Sequence, residues 1–196
     1  TATLNIPSGY TFVRASGEHG SVTETNGVYT YNLGSRIEHP ADANTPANTT
    51  VGDHVSLVLQ DAYGNKVTVN VPVNVTDDVP TLTVDTQATG SYGHAVTGSV
   101  ALNFGADDAG SLTVKLNTGS EVTGTKGIDG NYTFDMGSGH TLTLDSSTGD
   151  FSYDGVPTTG AAADYKFTFT ATDGDGDTAT ATTTAKIAAT DLSKVT

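Results

Sequence analysis

The sequence predicts an all-β protein made of two β-sandwich modules in tandem. Three observations carry that expectation. Residues 165–187, YKFTFTATDGDGDTATATTTAKI, form two alternating runs around an acidic, glycine-spaced loop. Phe167, Phe169 and Ala171 share one face of the first run, with Lys166, Thr168 and Thr170 on the other, which is the period-two pattern of a half-buried strand. A weaker copy, HVSLVLQDAYGNKVTVNVPVNVTDDVP, occupies residues 54–80 and aligns Asp61 with Asp173 at an offset of 112 residues. That period is too long for a solenoid and suits one sandwich domain. Thirdly, frequent Thr and Val with 23 glycines favour strands and turns, and no stretch has a convincing helical period.

The elements follow in order. A first module is expected over residues 1–78 and a second over 79–196, with a seam at Thr76-Asp77-Asp78-Val79-Pro80. In the first module, Tyr29 and Tyr31 of GVYTYNL resemble Phe151 and Tyr153 of GDFSYDG. Val55, Leu57 and Leu59 then match Phe167, Phe169 and Ala171. The opening residues read as strand rather than as a secretion signal, as in an excised segment. If Thr1-Ala2-Thr3-Leu4 aligns with Ser111-Leu112-Thr113-Val114, this module is truncated or short. In the second module, strands are expected at 81–85, 95–104, 111–117, 131–136, 139–145, 150–154, 165–171 and 178–188, with a weaker signal at 120–124. Its core is expected to hold Leu82, Val84, Val100, Leu102, Phe104, Leu112, Val114, Leu116, Tyr132, Phe134, Leu142, Leu144, Phe151, Tyr153, Phe167, Phe169 and Ile187.

Charge narrows the function. The formal net charge is −14, and the few Lys and Arg form no patch, which argues against nucleic acid and anionic membranes as partners. No apolar run reaches bilayer length, so no membrane insertion is expected. Cysteine is absent, so no disulfide can staple the modules. The acidic residues gather in loops, and bound divalent cations would offset them there.

Asp173, Asp175 and Asp177 stand on one short loop with only glycines between them. Alternating carboxylates repel unless a positive charge sits among them, and oxygen-only donors on a flexible loop suit Ca2+. The spacing meets the first three ligand positions of an EF-hand, but Thr178 and Thr184 replace the following Gly and the distal Glu. The plain alternative is a tight acidic turn in which Gly supplies positive φ. In the first module Ala62, Tyr63 and Asn65 stand where the second has Gly174, Asp175 and Asp177, a poorer chelator. In a seven-stranded sandwich the last hairpin loop lies at the pole where the first strand enters. That topology would bring Asp77 and Asp78 of the seam, and Asp107 and Asp108 before the strand at Ser111, to the pole of Asp173–Asp177.

Other residues carry less. His19, His39, His54, His94 and His140 show no H-x-x-x-H or His-Cys spacing and read as surface or packing residues. Ser138 in MGSGH is not a nucleophile elbow, and the glutamates are scattered, so no enzyme is expected. Residues 34–52 lack strand alternation; Arg36, Glu38, His39, Asp42 and Asn44 could bind a ligand there, but an inter-sheet crossover is favoured.

The acidic pattern TDGDGDTATATTTAKI and the seam VNVTDDVPTL resemble the tandem immunoglobulin-like repeats of giant type I-secreted bacterial RTX adhesins. GADDAGSLTV at 105–114, and more loosely Ile37-Glu38-His39-Pro40, add to the likeness. The resemblance implies calcium-rigidified extender repeats of a secreted, cell-surface adhesin, acting in cell adhesion and biofilm. It also implies neighbouring repeats of the same chain as partners, a host or surface glycan reached through other domains, and a monomer. Asp77, Asp78 and Pro80 match the family's seam, and Asp173, Asp175 and Asp177 its acidic hairpin loop. The alternative is a carbohydrate-binding module of such an adhesin, for which Tyr10, Tyr63, Tyr92 and Tyr132 supply aromatic surface, although Trp is absent.

Overall fold

The structure is a computed structural model and describes residues 2–26, 28–34, 50–105 and 108–190. The chain divides into two compact units, Thr1–Asp78 and Val79–Thr196. Both are all-β and immunoglobulin-like, two sheets stacked over one apolar core. No helix among the described residues is long and apolar enough to cross a membrane.

The first unit contains β1 (Ala2–Leu4), β2 (Tyr10–Gly17), β3 (Gly20–Thr25), β4 (Val28–Leu33), β5 (Thr50–Asp61) and β6 (Lys66–Thr76). One sheet has the order β1-β4-β3 and the other β2-β5-β6. Alternation on β5 sends Val55, Leu57 and Leu59 inward, where they meet Tyr31 of β4. Phe12 and Tyr29 extend this core, their ring centroids 4.4 Å apart. Across the β5–β6 ladder His54 faces Pro72, while Val67 and Val69 stay 40% exposed.

The second unit contains β7 (Thr81–Val84), β8 (Val96–Asn103), β9 (Ala109–Leu116), β10 (Glu121–Thr123), β11 (Thr125–Lys126), β12 (Tyr132–Gly137), β13 (His140–Leu144), β14 (Asp150–Tyr153), β15 (Ala163–Asp173) and β16 (Thr178–Ile187). A four-stranded sheet, β10-β9-β15-β16, faces a six-stranded one, β11-β12-β13-β14-β8-β7. The seven-strand plan is thus too small. Phe151 joins the layers, its ring 5.6 Å from that of Phe167 and 5.4 Å from that of Phe169. Each such fully buried side chain contributes roughly 1.5–3 kcal/mol relative to exposure. Of the expected core, Val84, Leu102, Phe104 and Leu116 are only partly buried, at the margin of the packed interior. Val96, Ala88, Val156 and Ala185 join the core without having been expected there, and Ala171 joins it from the face it shares with Phe167 and Phe169.

Each of the six described strands of the first unit has a counterpart in the second. In chain order β1 to β6 correspond to β8, β9, β13, β14, β15 and β16, with the same pairings. The strand equivalent to β9 is therefore β2 rather than Thr1–Leu4, because β2 is the one that pairs with β5, and β1 pairs with β4 in the opposite sheet. Each of β2 and β9 carries a bulge, at Val13 and at Gly110. The second unit inserts β10, β11 and β12 where the first joins β2 to β3 through Glu18 and His19 alone.

Candidate metal centre

The β15–β16 hairpin ends in the loop that carries Asp173, Asp175 and Asp177. The Asp173 amide donates to the Asp177 carbonyl at 3.1 Å, closing the loop. Gly176 takes φ 110°, which a side-chain-bearing residue rarely adopts. The Asp173 Oδ1 accepts the amides of Gly176 at 3.1 Å and Asp177 at 2.8 Å. These bonds turn the rest of the carboxylate into the loop, toward Asp175.

What remains there is unsatisfied. Asp173 is 2% exposed and Asp175 9%. Asp173 Oδ2 and Asp175 Oδ1 are buried without a hydrogen-bond partner. One carboxylate oxygen from each of Asp173, Asp175 and Asp177 lies within 4.8 Å of the others. Burial, and then the Asp175 carboxyl against it, push the Asp173 pKa up to about 6, although the Gly176 and Asp177 amides pull the other way. Two facing acceptors need a shared proton or a cation between them. The donor set is all oxygen, which fits a hard cation such as Ca2+.

The start of β9 lies against this loop. Ala109 pairs with Asp173, and a Cβ on Gly110 would sit 2.1 Å from the Asp173 carbonyl oxygen. Only glycine lets the two backbones come so close. Asp108, at φ 63°, immediately precedes Ala109 in the chain. Asp107, and residues Arg36, Glu38, His39, Asp42 and Asn44, lie outside the described residues. Asp77 and Asp78 follow β6 and close the first unit.

The equivalent loop of the first unit is built differently. Asp61 Oδ1 accepts the amides of Tyr63 at 2.8 Å and Asn65 at 2.9 Å, and its Oδ2 accepts the Asn65 side-chain amide at 2.9 Å. The Asn65 side chain first, and then backbone amides, hold the Asp61 carboxyl below the usual range. Of the tyrosines considered for a sugar platform, Tyr132 is 6% exposed and belongs to the core. The Tyr92 hydroxyl donates to the Ala161 carbonyl, whereas Tyr63 is 91% exposed.

A second group of metal-ligating side chains escaped the sequence reading: Glu18, His19 and Asp53, each with a donor atom within 4.8 Å of the others. Glu18 and His19 are neighbours in sequence but Asp53 is remote from both, so only the packing of the β2–β3 turn against the start of β5 brings the three together.

No known protein family matches the chain, and no curated protein matches it. Solved structures do resemble it. The fibronectin(III)-like modules of Clostridium thermocellum CbhA are 9% identical over 94% of this chain and 82% of theirs, with a TM-score of 0.34. The human desmocollin-1 ectodomain is 12% identical over 93% of this chain, with a TM-score of 0.37, and the chain spans 34% of it. A structure of a 1.5-MDa bacterial ice-binding adhesin, described in connection with host cell surface retention, is 21% identical over 71% of this chain, with a TM-score of 0.30, and the chain spans 42% of it.

Proposed function

We propose that the chain is a pair of calcium-rigidified extender modules of a secreted bacterial cell-surface adhesin. The observation that carries the reading is the buried pair Asp173 and Asp175, whose inner oxygens face one another without a hydrogen-bond donor. Ca2+ held by Asp173, Asp175 and Asp177 would replace repulsion with coordination. The second unit would then hold its acidic loop and the start of β9 as one rigid end. On sequence grounds Asp77 and Asp78, with Asp107 and Asp108, are proposed to add ligands, so that the cation also stiffens the chain between modules. The role is mechanical: a stiff repeat carries other domains outward, and no reaction is required of it.

Two measurements test this. Calorimetric titration of the metal-free chain with Ca2+ should show saturable binding that Asp173→Asn with Asp175→Asn removes. Small-angle scattering should show a longer maximum dimension in Ca2+ than in EDTA. An unchanged dimension removes the rigidification, and binding retained in the double variant moves the site elsewhere. The carbohydrate-binding reading has lost Tyr132 to the core. A specific hit on a glycan array, lost on mutating one loop, would promote it.

A further inference from the structure

The β2–β3 turn of the first unit is only two residues long, Glu18 and His19, between Gly17 and Gly20. Both glycines are required by Tyr31. A Cβ on Gly17 would meet its ring at 2.3 Å, and one on Gly20 its hydroxyl at 2.6 Å. The ring fills the space the glycines leave, and its hydroxyl donates to Asp53 Oδ2 at the start of β5. Tyr31 and Asp53 are each 2% exposed. The His54 amide donates to Asp53 Oδ1 at 2.7 Å, so both oxygens of this buried carboxylate are fixed in direction.

Asp53 Oδ1 then faces His19 Nδ1 at 3.5 Å. That is long for a hydrogen bond. It is close to the separation of about 3.4 Å expected for two donors on a tetrahedral zinc ion with bonds of ~2.0–2.1 Å. Glu18 brings a third donor atom within 4.8 Å of both. His54 Nδ1 stands 3.2 Å from Glu18 Oε2 and orients it. The cluster therefore has three first ligands of mixed nitrogen and oxygen type. Each carboxylate ligand is held by an outer partner, Asp53 by the Tyr31 hydroxyl and Glu18 by His54. Outer partners of this kind are what metal sites use to orient their ligands.

We propose that Glu18, His19 and Asp53 form a binding site for a divalent transition metal of the zinc type, with one position open to solvent. Imidazole nitrogen with two carboxylates selects such an ion over calcium, which takes oxygen donors. The site lies away from the β5–β6 hairpin loop, at the opposite end of β5. By the repeat, Asp53 stands where the second unit has Tyr165, whose ring instead lies 6.1 Å from that of Tyr153. The second unit thus packs two aromatic rings where the first carries a ligand set. The ion would tie the β2–β3 turn to β5, and hence sheet β1-β4-β3 to sheet β2-β5-β6. A unit with a modest core and no cysteine gains stability from such a clip.

The test uses the full, metal-free chain with ZnCl2 in calorimetry, and with Co2+ as a probe of visible absorption. One equivalent should bind, with the intense bands of tetrahedral cobalt. His19→Ala should weaken binding at least about tenfold, and Tyr31→Phe by a similar factor or less as an outer partner. Glu18→Gln, at an exposed turn position, serves as a second ligand variant should His19→Ala misfold by circular dichroism. The Asp173→Asn, Asp175→Asn variant should bind zinc as wild type does, which separates this site from the calcium loop. Absence of saturable zinc binding in wild type overturns the inference. So does full affinity in folded His19→Ala or Glu18→Gln, or loss of binding in the Asp173 and Asp175 variant.

Discussion

The two hairpin loops that close β5–β6 and β15–β16 have the same length and the same backbone hydrogen bond, at 3.0 Å from the Asp61 amide to Asn65 and 3.1 Å from the Asp173 amide to Asp177. Each has a left-handed glycine at the same place, Gly64 and Gly176. Their chemistry is opposite. In the first, Asn65 supplies a side-chain amide that completes Asp61, and the loop is self-sufficient. In the second, Asp177 stands in place of that amide, Asp175 in place of Tyr63, and Asp173 and Asp175 are left with buried oxygens to satisfy. One backbone therefore serves either as a finished turn or, on the function proposed above, as the frame of an ion site. The choice rests on whether the fourth and second loop positions donate hydrogen or accept it.

The strongest way to break this contrast is through the strand that lies against the second loop. Gly110→Ala would force a Cβ to within 2.1 Å of the Asp173 carbonyl oxygen. The expected loss is about 3 kcal/mol or more, read by denaturant unfolding. The first unit has Val13 at its corresponding bulge, 38% exposed, so Val13→Ala should change little. Equal effects at the two bulges would sink the claim that the β9 contact builds the second loop.

Acid unfolding sharpens the contrast next. The folded Asp173 pKa of about 6 lies above the ordinary carboxylate value of 3.8. Metal-free protein therefore keeps this group's contribution below pH 3.8 and loses it as pH rises through about 6. The total is at most roughly 3 kcal/mol. Asp61 has the opposite sign: its lowered pKa gives a contribution present above the ordinary carboxylate range and lost on acidification. Unfolding of metal-free wild type and of Asp173→Asn between pH 3.5 and 7 checks this, on the order of one pH unit per step. A wild-type slope identical to that of the variant would refute the raised pKa.

Calcium should reverse that penalty. A site that binds only in the folded state adds about 2.7 kcal/mol at a hundredfold excess of ion over its dissociation constant. Scanning calorimetry in Ca2+ and in EDTA should show the shift in wild type and little of it in Asp173→Asn with Asp175→Asn. The metal-free double variant should be as stable as wild type or slightly more so, because it no longer holds opposed carboxylates. The smallest effect is expected from converting the first loop: Tyr63→Asp with Asn65→Asp should create a calcium response weaker than that of the native site, since Tyr63 is 91% exposed and the loop is open to water. A response as large as the native one would show that the β9 contact is dispensable.

The sequence showed the sandwich class most clearly where alternation runs unbroken, as along β5, β15 and β16. It hid β2, and the reason is physical. The bulge at Val13 changes the parity of the strand, so inward Phe12 and Ala15 are three residues apart and no period-two pattern survives. The insert of β10 to β12 was only half visible because these strands are two to six residues long. The acidic loop could be read because its three carboxylates are nearly contiguous. Glu18, His19 and Asp53 could not, because their proximity is made by β-sheet stacking and by two glycines that admit Tyr31.

The outer strand of the sheet β2-β5-β6 has a consequence for behaviour in a crowd. β6 is 11 residues long and shows Val67 and Val69 to solvent, the kind of surface on which another chain can lay down a strand. Pro72 interrupts it. A proline survives within a strand where its missing amide would point away from the ladder, so an incoming strand finds no donor there. Pro72→Val should restore that donor, and light scattering at high protein concentration would then report growing aggregates. A single five-membered ring thus withholds one donor from any copy of the chain that approaches this strand.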